Sequence, residues 1–413
     1  MILLLIDFDG VILDTKKISF DIFSKCLKKL QNCKDLKLIK KLYKKSDGFD
    51  LLTISKLLAN YYKTDYLTFY KFLEFEWKEA YKKKTLNKDI SNFFDFIKNL
   101  DVKIVIFSSS DFKNIKKILS NKLKKIDFIK KEFDHKFLLN KTTLDKIKKL
   151  KKGAQKFINI DDNININKQI SKLNFINIHY EINTNKKDLT EIFISTLLKN
   201  RINFYYKISS LNRMKLESSN FKLPKSITKS LINKFNKFKN KGFFNGNLNY
   251  LHDIGFKNKK LYITSFKNYY SLRLSRHYIS LAVQGFIIIG LNKYLICKRK
   301  KVIFEKNLYE FVPSGGLTKF SKRDLFFQIK NECYEESNLK INNKDINFIA
   351  IYVDFDQNTL DFICKINIKK FDNLKNQINL SNEHWNFILK DKKYLKNNIN
   401  KFTNSSKKVI NNL

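Results

Sequence analysis

Six apolar residues at the start of the chain lead directly into two carboxylates, in the stretch MILLLIDFDGVILDT. An apolar run without alternation is typical of a strand that is buried on both faces of a parallel sheet. Side chains at the carboxyl end of such a strand face the crevice where ligands bind. Asp7 and Asp9 would point the same way, and Gly10 permits a tight turn after them. The pattern suits a hard cation such as Mg²⁺ beside a phosphate, although a polar loop after a buried strand would look similar.

Three further apolar runs of strand length follow in the first half of the chain: VKIVIFS (102–108), KFINID (156–161) and FINIHY (175–180). Segments with helical spacing separate them, so we predict an α/β domain with a Rossmann-like parallel sheet and right-handed crossovers. About eighty residues between the first two strands (roughly 15–95) show few strand signals. This stretch is too long for a crossover and predicts an inserted helical module.

Polar residues follow each of these strands in an order that carries a family resemblance. Ser108 begins a run of three serines, Asp161 and Asp162 end the third strand, and Lys141 begins a helix between them. This set, with DFDGVILDT, resembles the haloacid dehalogenase-like (HAD-like) phosphatase superfamily over about residues 1–185. The inserted module resembles the helical cap of one subgroup of that superfamily.

The resemblance implies a role for each matching residue. Asp7 would be the nucleophile that forms an aspartyl-phosphate, and Asp9 the general acid and then the base. Ser108 and Lys141 would hold the phosphoryl oxygens, with Lys146 as the alternative lysine. Asp162, together with Asp161, would complete a Mg²⁺ site with Asp7 and the backbone carbonyl of Asp9, Mn²⁺ being the alternative metal.

The second half of the chain follows a different pattern. ISLAVQGFIII and KYLICKR predict a hairpin around Gly290, and INFIAIYVDF and LDFICKINI predict two more strands. We therefore predict a separate α+β domain at 276–402. We expect residues 186–275 to form a connecting region, and the Lys- and Asn-rich end, 403–413, to be a frayed tail.

A helix with clustered carboxylates is predicted inside that second domain. Ser321 and Asp324 have capping-box spacing, so a helix should begin there. Glu332, Glu335 and Glu336 then share one helix face, where they repel one another unless a cation lies among them. A solvated acidic face is the alternative.

The stretch from VPSGG to Leu339 resembles the Nudix box. The resemblance implies that Glu332, Glu335 and Glu336 bind the metal and that Glu335 is catalytic, with Glu383 as a further acidic residue downstream. The stretch departs from the box in four ways: it is one residue longer, Asn331 replaces the box arginine, Asn338 replaces the late glycine, and the early glutamate is absent, with Lys322, Arg323 and Asp324 in its neighbourhood. Asparagine tolerates the left-handed conformation needed at a helix end.

The charge of the chain is the remaining global feature. The formal net charge is +43, but only six of the 82 basic residues are arginine and the lysines are spread over the whole chain. Nucleic-acid surfaces concentrate arginine, so the composition argues against such a partner, while a positive surface still attracts phosphorylated small molecules. Arg273, Arg276 and His277 are candidates for binding a substrate phosphate, with a basic entry to the sheet as the alternative.

Localisation is predicted from cysteines and apolar runs. Five cysteines without a CxxC pair indicate reduced core thiols, and no apolar run is long enough to cross a bilayer. We therefore expect a cytoplasmic protein without a membrane partner. Together these features predict a Mg²⁺-dependent hydrolase that joins a phosphomonoester phosphatase to a pyrophosphohydrolase acting on nucleotides or nucleotide sugars. The alternatives are that one domain is catalytic and the other serves recognition, or that the protein is a non-catalytic, basic nucleic-acid-binding protein.

Overall fold

The computed structural model divides the chain into two compact units, Met1–Thr196 and Leu197–Leu413. It describes the chain with the exception of residues 47–48, 83, 121, 124–126, 135–137, 183, 186, 237–246, 270, 273–274, 276, 301–306 and 369–383. The predicted sites at Arg273, Arg276 and Glu383 therefore lie outside the described residues.

A five-stranded parallel sheet forms the centre of the first unit. Its strands are β1 (Ile2–Ile6), β2 (Val102–Ser108), β3 (Asp127–Lys130), β4 (Lys156–Asp161) and β5 (Ile176–His179), in the order β3-β2-β1-β4-β5. β1 is the central strand, and all five of its residues are buried, which explains its unbroken apolar sequence. The register aligns Ile6 with Ile106 of β2 and Ile160 of β4, so the carboxyl ends of the three strands lie side by side.

Five helices follow or flank these strands: α5 (Lys88–Ile97), α6 (Phe112–Leu119), α7 (Lys141–Leu150), α8 (Ile164–Ser171) and α9 (Leu189–Lys199). Short polar side chains begin several of them. Asp111 accepts a hydrogen bond from the backbone of Lys113 at the start of α6, and Asn140 and Asn163 cap α7 and α8 in the same manner. These caps satisfy backbone nitrogens in the first turn of each helix.

The segment between β1 and β2 forms a helical module with its own core. It contains α1 (Lys16–Gln31), α2 (Leu36–Ser46), α3 (Leu51–Tyr62) and α4 (Tyr66–Lys82). Cys26, Leu27, Ile39, Leu58 and Phe69 are almost fully buried within one apolar cluster. Because the residues of this cluster come from the four helices and the turn between α1 and α2, the module has an apolar core of its own.

Eleven described strands form one mixed sheet in the second unit: β6 (Phe204–Lys207), β7 (Met214–Ser218), β8 (Asn247–Lys257), β9 (Lys260–Tyr269), β10 (Ser280–Ile289), β11 (Lys293–Arg299), β12 (Tyr309–Phe311), β13 (Ser314–Gly316), β14 (Ile346–Asp354), β15 (Thr359–Ile368) and β16 (His384–Asp391). The main path runs β6-β14-β15-β10-β8-β9-β7, and β11, β12, β13 and β16 branch from it. β10 and β15 pair in parallel over ten residues, whereas β14 and β15 are antiparallel. The hairpin predicted around Gly290 is present as β10 and β11.

Helices α10 (Lys225–Asn236), α11 (Lys322–Ser337), α12 (Lys392–Asn397) and α13 (Asn404–Asn412) complete the second unit, with short 3-10 turns at Leu211–Arg213, Asn343–Asp345 and Ile399–Lys401. The predicted fold class is confirmed: a parallel α/β unit with an inserted helical module precedes an α+β unit. Among the described residues, no helix has both the length and the apolar character needed to cross a bilayer.

Two predictions about the second half are corrected. Residues 186–275, predicted as a connecting region, contribute β6, β7, β8 and β9 to the mixed sheet. The predicted frayed tail at 403–413 forms α13, because Val409 and Ile410 enter the apolar cluster built around Phe286 and Phe311. The division at Thr196 also lies beyond the boundary predicted at residue 185.

Candidate active site

Three carboxylates meet at the carboxyl edge of the parallel sheet. Asp7 directly follows β1, Asp161 is the last residue of β4, and Asp162 comes next. Each offers an oxygen that lies within 4.8 Å of the oxygens offered by the other two. Parallel pairing of β1 with β4 accounts for this proximity, since the two strands end at the same edge. Carboxylate oxygens are the ligands that Mg²⁺ prefers, so the donor set fits a hard divalent cation.

A lysine that sequence reasoning did not single out lies among these carboxylates. The Lys131 Nζ is 2.8 Å from Asp7 Oδ2 and 2.7 Å from Asp161 Oδ2, and the side chain is 4% exposed. Its backbone nitrogen donates to the carbonyl of Ser108, which holds the residue at the end of β3 beside β2. The ammonium group also lies 5.0 Å from the centre of the Phe107 ring. Lys131 thus supplies the positive charge inside the site.

The structure corrects the prediction that Lys141 fills this role. Lys141 is the first residue of α7, after the Asn140 cap, and its side chain is exposed. The alternative, Lys146, is exposed on the same helix. The buried face of α7 instead carries Thr143 and Ile147. The missed signal was the short strand β3, since a lysine directly after it reaches the same sheet edge as Asp7.

Burial and neighbouring charges shift the protonation of these groups. Burial raises the pKa of Asp7 well above its ordinary value; Lys131 opposes that change, and the nearby Asp161 and Asp162 carboxylates add to it. Burial would lower the pKa of Lys131, but the charges of Asp161 and Asp7 raise it overall. The lysine therefore stays positively charged and offsets part of the repulsion among the carboxylates.

Gly10 gives Asp162 the room to approach. The backbone of Gly10 has a φ of 84°, and a Cβ atom placed there would lie 2.2 Å from Asp162 Oδ2. Any other residue would therefore be strained and would displace this carboxylate. Asp162 Oδ2 also lies 3.2 Å from the Nζ of Lys16, which in turn lies 2.9 Å from Glu181.

The serines after β2 divide into a buried and a cavity-facing set. Ser108 is fully buried, and its Oγ accepts a hydrogen bond of 3.0 Å from the backbone nitrogen of Ser110. Ser109 and Ser110, rather than Ser108, line the cavity beside Asp7. Ser108, which was predicted to contact the phosphate, therefore lies away from the cavity lining and is bonded to the backbone of Ser110.

Asp9 lies in a hydrogen-bonded group that crosses from the sheet to the helical module. The Tyr81 hydroxyl, from the last turn of α4, donates to Asp9 Oδ1 at 2.7 Å, and Ser110 Oγ donates to Asp9 Oδ2. Burial raises the pKa of Asp9, while the hydrogen bonds from Ser110 and Tyr81 act in the opposite direction. A raised carboxyl pKa suits a residue that must carry a proton to a leaving group.

A cavity of about 460 Å³ opens above these residues. Its floor includes Asp7, Asp9, Asp162 and Lys131, and its walls come largely from the helical module. Six aromatic side chains from that module line it: Phe23, Tyr43, Phe49, Tyr70, Trp77 and Tyr81. The space is large enough for a small phosphorylated molecule with its phosphate at the carboxylates.

The second predicted site lies on α11. Ser321 caps this helix by accepting a hydrogen bond from the backbone of Asp324, and Asn338 ends it in the left-handed conformation, with a φ of 57°. Ile329 and Cys333 are fully buried, so this face anchors the helix in the unit. The predicted start and end of the helix are both present.

Two of the three glutamates of α11 face β13, and the third faces solvent. A Cβ on Gly315 would lie 1.8 Å from Glu332 Oε1, so Glu332 packs directly against β13, and Gln328 donates to it at 2.6 Å. Glu336 is 5% exposed and accepts a hydrogen bond of 3.2 Å from the backbone nitrogen of Ser314. Glu335 is exposed to solvent. Within the described residues, only Asp7, Asp161 and Asp162 bring three candidate ligand atoms within 4.8 Å of one another.

Solved structures similar to this chain include a nudix protein and a phosphoglucomutase. A MutT/nudix family protein from Enterococcus faecalis has 15% identity and a TM-score of 0.23, and the match covers 27% of this chain and 44% of that protein. A β-phosphoglucomutase from Clostridium difficile has 19% identity and a TM-score of 0.33, with coverage of 43% and 83%.

One similar structure covers a larger share of the chain. It is a bifunctional NMN adenylyltransferase/ADP ribose pyrophosphatase from Francisella tularensis, with 11% identity, a TM-score of 0.29 and coverage of 75% of this chain and 89% of that one. No family model matches the sequence, and the search of curated proteins finds no match. All three TM-scores lie below 0.5, so the functional proposal rests on the residues of the site.

Proposed function

We propose that the first unit is a phosphomonoester phosphatase that depends on a divalent cation, with Asp7 as its nucleophile. The observation that carries the proposal is the cluster of Asp7, Asp161 and Asp162 beside a cavity, with Asp7 and Asp161 buried against the Lys131 ammonium. A polar loop of no function would leave such carboxylates in water, because burying unpaired charges is costly.

The proposed reaction has two steps. A carboxylate oxygen of Asp7 bonds to phosphorus, the ester P–O bond breaks, and the departing oxygen takes a proton from Asp9. Water then attacks phosphorus, Asp9 accepts its proton, and the bond between Asp7 and phosphorus breaks to release phosphate. Lys131 and the hydroxyl of Ser109 stabilise the negative charge that develops on the phosphoryl oxygens.

Asp7, Asp161 and Asp162 would hold the cation, Mg²⁺ or Mn²⁺, which would supply further charge neutralisation at the phosphoryl group. The donor types and their spacing fit this role. Lys16 shares Asp162 and so competes for one of its oxygens. Binding of the cation would therefore depend on whether the Lys16 ammonium moves away from Asp162. The backbone carbonyl of Asp9 stays a proposed further ligand.

The experiment is a screen of the purified full chain against a panel of phosphomonoesters, with Mg²⁺ or Mn²⁺ and with a chelator. We expect release of inorganic phosphate that the chelator removes and the metal restores. An Asp7→Asn variant with an unchanged circular dichroism spectrum should release none. Release that continues in this variant would contradict the proposed nucleophile.

Diphosphate hydrolysis by the second unit stays a prediction. Glu332 and Glu336 pack against β13, whereas Glu335 faces solvent. This arrangement supports a metal site less well than the carboxylate cluster of the first unit does. The same screen, extended to nucleoside diphosphates carrying a sugar or a second nucleoside, tests it directly. If only the first activity appears, the second unit is left with a recognition role.

A further inference from the structure

The carboxylate of Asp9 is held by two hydroxyl groups that come from distant parts of the chain. Tyr81 donates to Oδ1 at 2.7 Å, Ser110 Oγ donates to Oδ2, and the two hydroxyl oxygens lie 3.0 Å apart. The three contacts form a closed ring, but the two hydroxyl protons serve only two of them while Asp9 is ionised. The contact between the hydroxyl oxygens can become a hydrogen bond when Asp9 carries a proton. Tyr81 is 72 residues from Asp9 in sequence, and it is the contribution of the helical module to this ring.

Packing fixes the position of the Tyr81 ring. The ring stacks on Trp77, one helical turn earlier on α4, with centroids 5.2 Å apart and planes at 28°. Its centroid also lies 6.2 Å from that of Phe8, the residue between Asp7 and Asp9 in the sequence. A ring that packs against two other rings has few orientations for its hydroxyl, which reduces the entropy lost when the hydrogen bond forms.

The two hydroxyl groups can serve Asp9 in both of its roles. A hydroxyl both donates and accepts, so Tyr81 and Ser110 can donate to the carboxylate, and one of them can turn to accept when the carboxyl carries a proton. A carboxyl held at both oxygens cannot rotate away from the cavity. Proton transfer requires such placement within hydrogen-bond distance of the leaving oxygen.

We propose that Tyr81 is a positioning residue for Asp9. Through Tyr81, proton transfer to the leaving group depends on the position of the helical module relative to Asp9. This inference rests on the proposed phosphatase function. Because Tyr81 acts through Asp9, its hydroxyl matters when the leaving group needs a proton. It matters little when the leaving group departs as a stable anion.

The test is Tyr81→Phe, which keeps the ring and its stacking on Trp77 and removes only the hydroxyl. Turnover of benzyl phosphate, whose alkoxide leaves poorly, is compared with turnover of 2,4-dinitrophenyl phosphate. We expect kcat for benzyl phosphate to fall about 10- to 100-fold, which is part of the contribution usual for general acid catalysis. For dinitrophenyl phosphate we expect a change of less than about 3-fold, and KM should change little for either ester.

Two further variants make the outcome specific. Tyr61→Phe removes a hydroxyl from an exposed tyrosine of the same module, on α3, and should match wild type with both esters. Ser110→Ala should show the same selectivity as Tyr81→Phe, and the double variant should lose less than the product of the single losses, since both act on one carboxyl. Equal losses with both esters, or no loss in Tyr81→Phe, would overturn the inference.

The controls also separate this inference from the function on which it rests. If wild type hydrolyses both esters, and Asp7→Asn hydrolyses neither, the phosphatase proposal stands whatever Tyr81→Phe does. If wild type hydrolyses neither ester with Mg²⁺ or Mn²⁺, both proposals fail together. A drop in thermal midpoint of Tyr81→Phe with equal losses for both esters would indicate a purely structural tyrosine.

Discussion

The two acidic sites of this chain are built on different elements, and their carboxylates come together to different degrees. In the first unit, Asp7 and Asp161 end neighbouring parallel strands, and the register forces them and Asp162 to one edge. In the second, Glu332, Glu335 and Glu336 project from one helix, where successive positions turn by about 100°. Two of them pack against β13 and one faces solvent. The sheet edge brings together side chains from distant parts of the sequence, whereas the three glutamates of the helix are divided between β13 and solvent.

Both sites nevertheless use a glycine for close approach of a carboxylate. A Cβ on Gly10 would lie 2.2 Å from Asp162, and a Cβ on Gly315 would lie 1.8 Å from Glu332. The sites differ in what offsets the charge. The first has the buried Lys131 ammonium at 2.8 Å from Asp7, whereas hydrogen bonds from Gln328 and the Ser314 backbone serve the second.

The largest effect should come from Asp7→Asn. The amide is a poor nucleophile and a weaker ligand than a carboxylate, so phosphate release should fall by at least about 10³-fold. The neutral side chain also removes one of three repelling charges, so the free energy of unfolding should not fall much. Single-turnover phosphate release, with thermal unfolding as the check on folding, measures both. Wild-type turnover in the variant would break the comparison, because the strand-edge site would then be no more than an acidic cluster.

A pair of lysine variants tests which ammonium belongs to the site. Lys131→Met removes the charge between Asp7 and Asp161 and leaves two buried carboxylates uncompensated, which costs about 3–5 kcal/mol of stability in comparable cases. Activity should fall at least about 100-fold. Lys141→Met, the same change on an exposed side chain at the start of α7, should alter the stability by less than about 0.5 kcal/mol and leave turnover near wild type.

Urea unfolding and phosphate release on both lysine variants give the answer. If Lys141→Met loses activity and Lys131→Met keeps it, the lysine of the site is Lys141, as the sequence predicted. A cell-free or low-temperature preparation keeps the comparison possible if Lys131→Met folds poorly, since retained activity per folded molecule is the quantity compared.

Gly10→Ala should have an intermediate effect. The added Cβ would overlap Asp162 Oδ2 and would also hold an alanine at a φ of 84°, which costs about 1 kcal/mol or more. We expect a higher concentration of Mg²⁺ for half-maximal activity, because Asp162 must move from the other ligands. Gly153→Ala is the matched control: this glycine has a φ of 86° and nothing within 4 Å of its Cβ position, so it shares the strain without the overlap. Equal Mg²⁺ requirements in the two variants would remove Asp162 from the cation site.

Much of the first unit was predictable, because its signals are local. The runs at 102–108 and 156–161 form β2 and β4 with the predicted bounds, since unbroken Ile, Val and Phe runs are typical of doubly buried strands. Strand β3 was missed: it has only four residues and lies at the sheet edge. Lys131 was missed with it. Tyr81 could not be found from sequence, because its contact with Asp9 depends on how the helical module packs.

The second unit was less predictable, for a related reason. Strands β8 and β9 mix buried and exposed positions with many polar residues, so no apolar run marks them. β8 and β9 pair with each other through a short turn, but β7 pairs with β9, and β10 with β15, over much longer separations in the sequence. The Lys and Asn content of residues 403–413 predicted a frayed tail. The structure instead packs α13 against the core through Val409 and Ile410.

The smallest expected effect concerns the acidic helix, in the double variant Glu335→Gln with Glu336→Gln. Glutamine keeps an acceptor oxygen for the Ser314 backbone, and removing like charges on one helix face relieves a few tenths of a kcal/mol per pair. Stability should therefore stay the same or rise slightly. Phosphomonoester turnover should be unchanged, since Asp7 and its ligands lie in the first unit.

What separates the two interpretations of α11 is metal binding and diphosphate hydrolysis by the full chain. If the helix works as a Nudix-type site, the double variant should lose diphosphate hydrolysis and one class of Mn²⁺ sites in a calorimetric titration, with the Asp7 site still titrating. Asp7→Asn should lose the Mn²⁺ site of the first unit and keep diphosphate hydrolysis. Each variant is thus the control for the other. If the Mn²⁺ curves of wild type and the double variant coincide, the glutamates of α11 are structural. Glu332 then packs against Gly315, Glu336 caps the loop at Ser314, and the chemistry of the chain belongs to the strand-edge site alone.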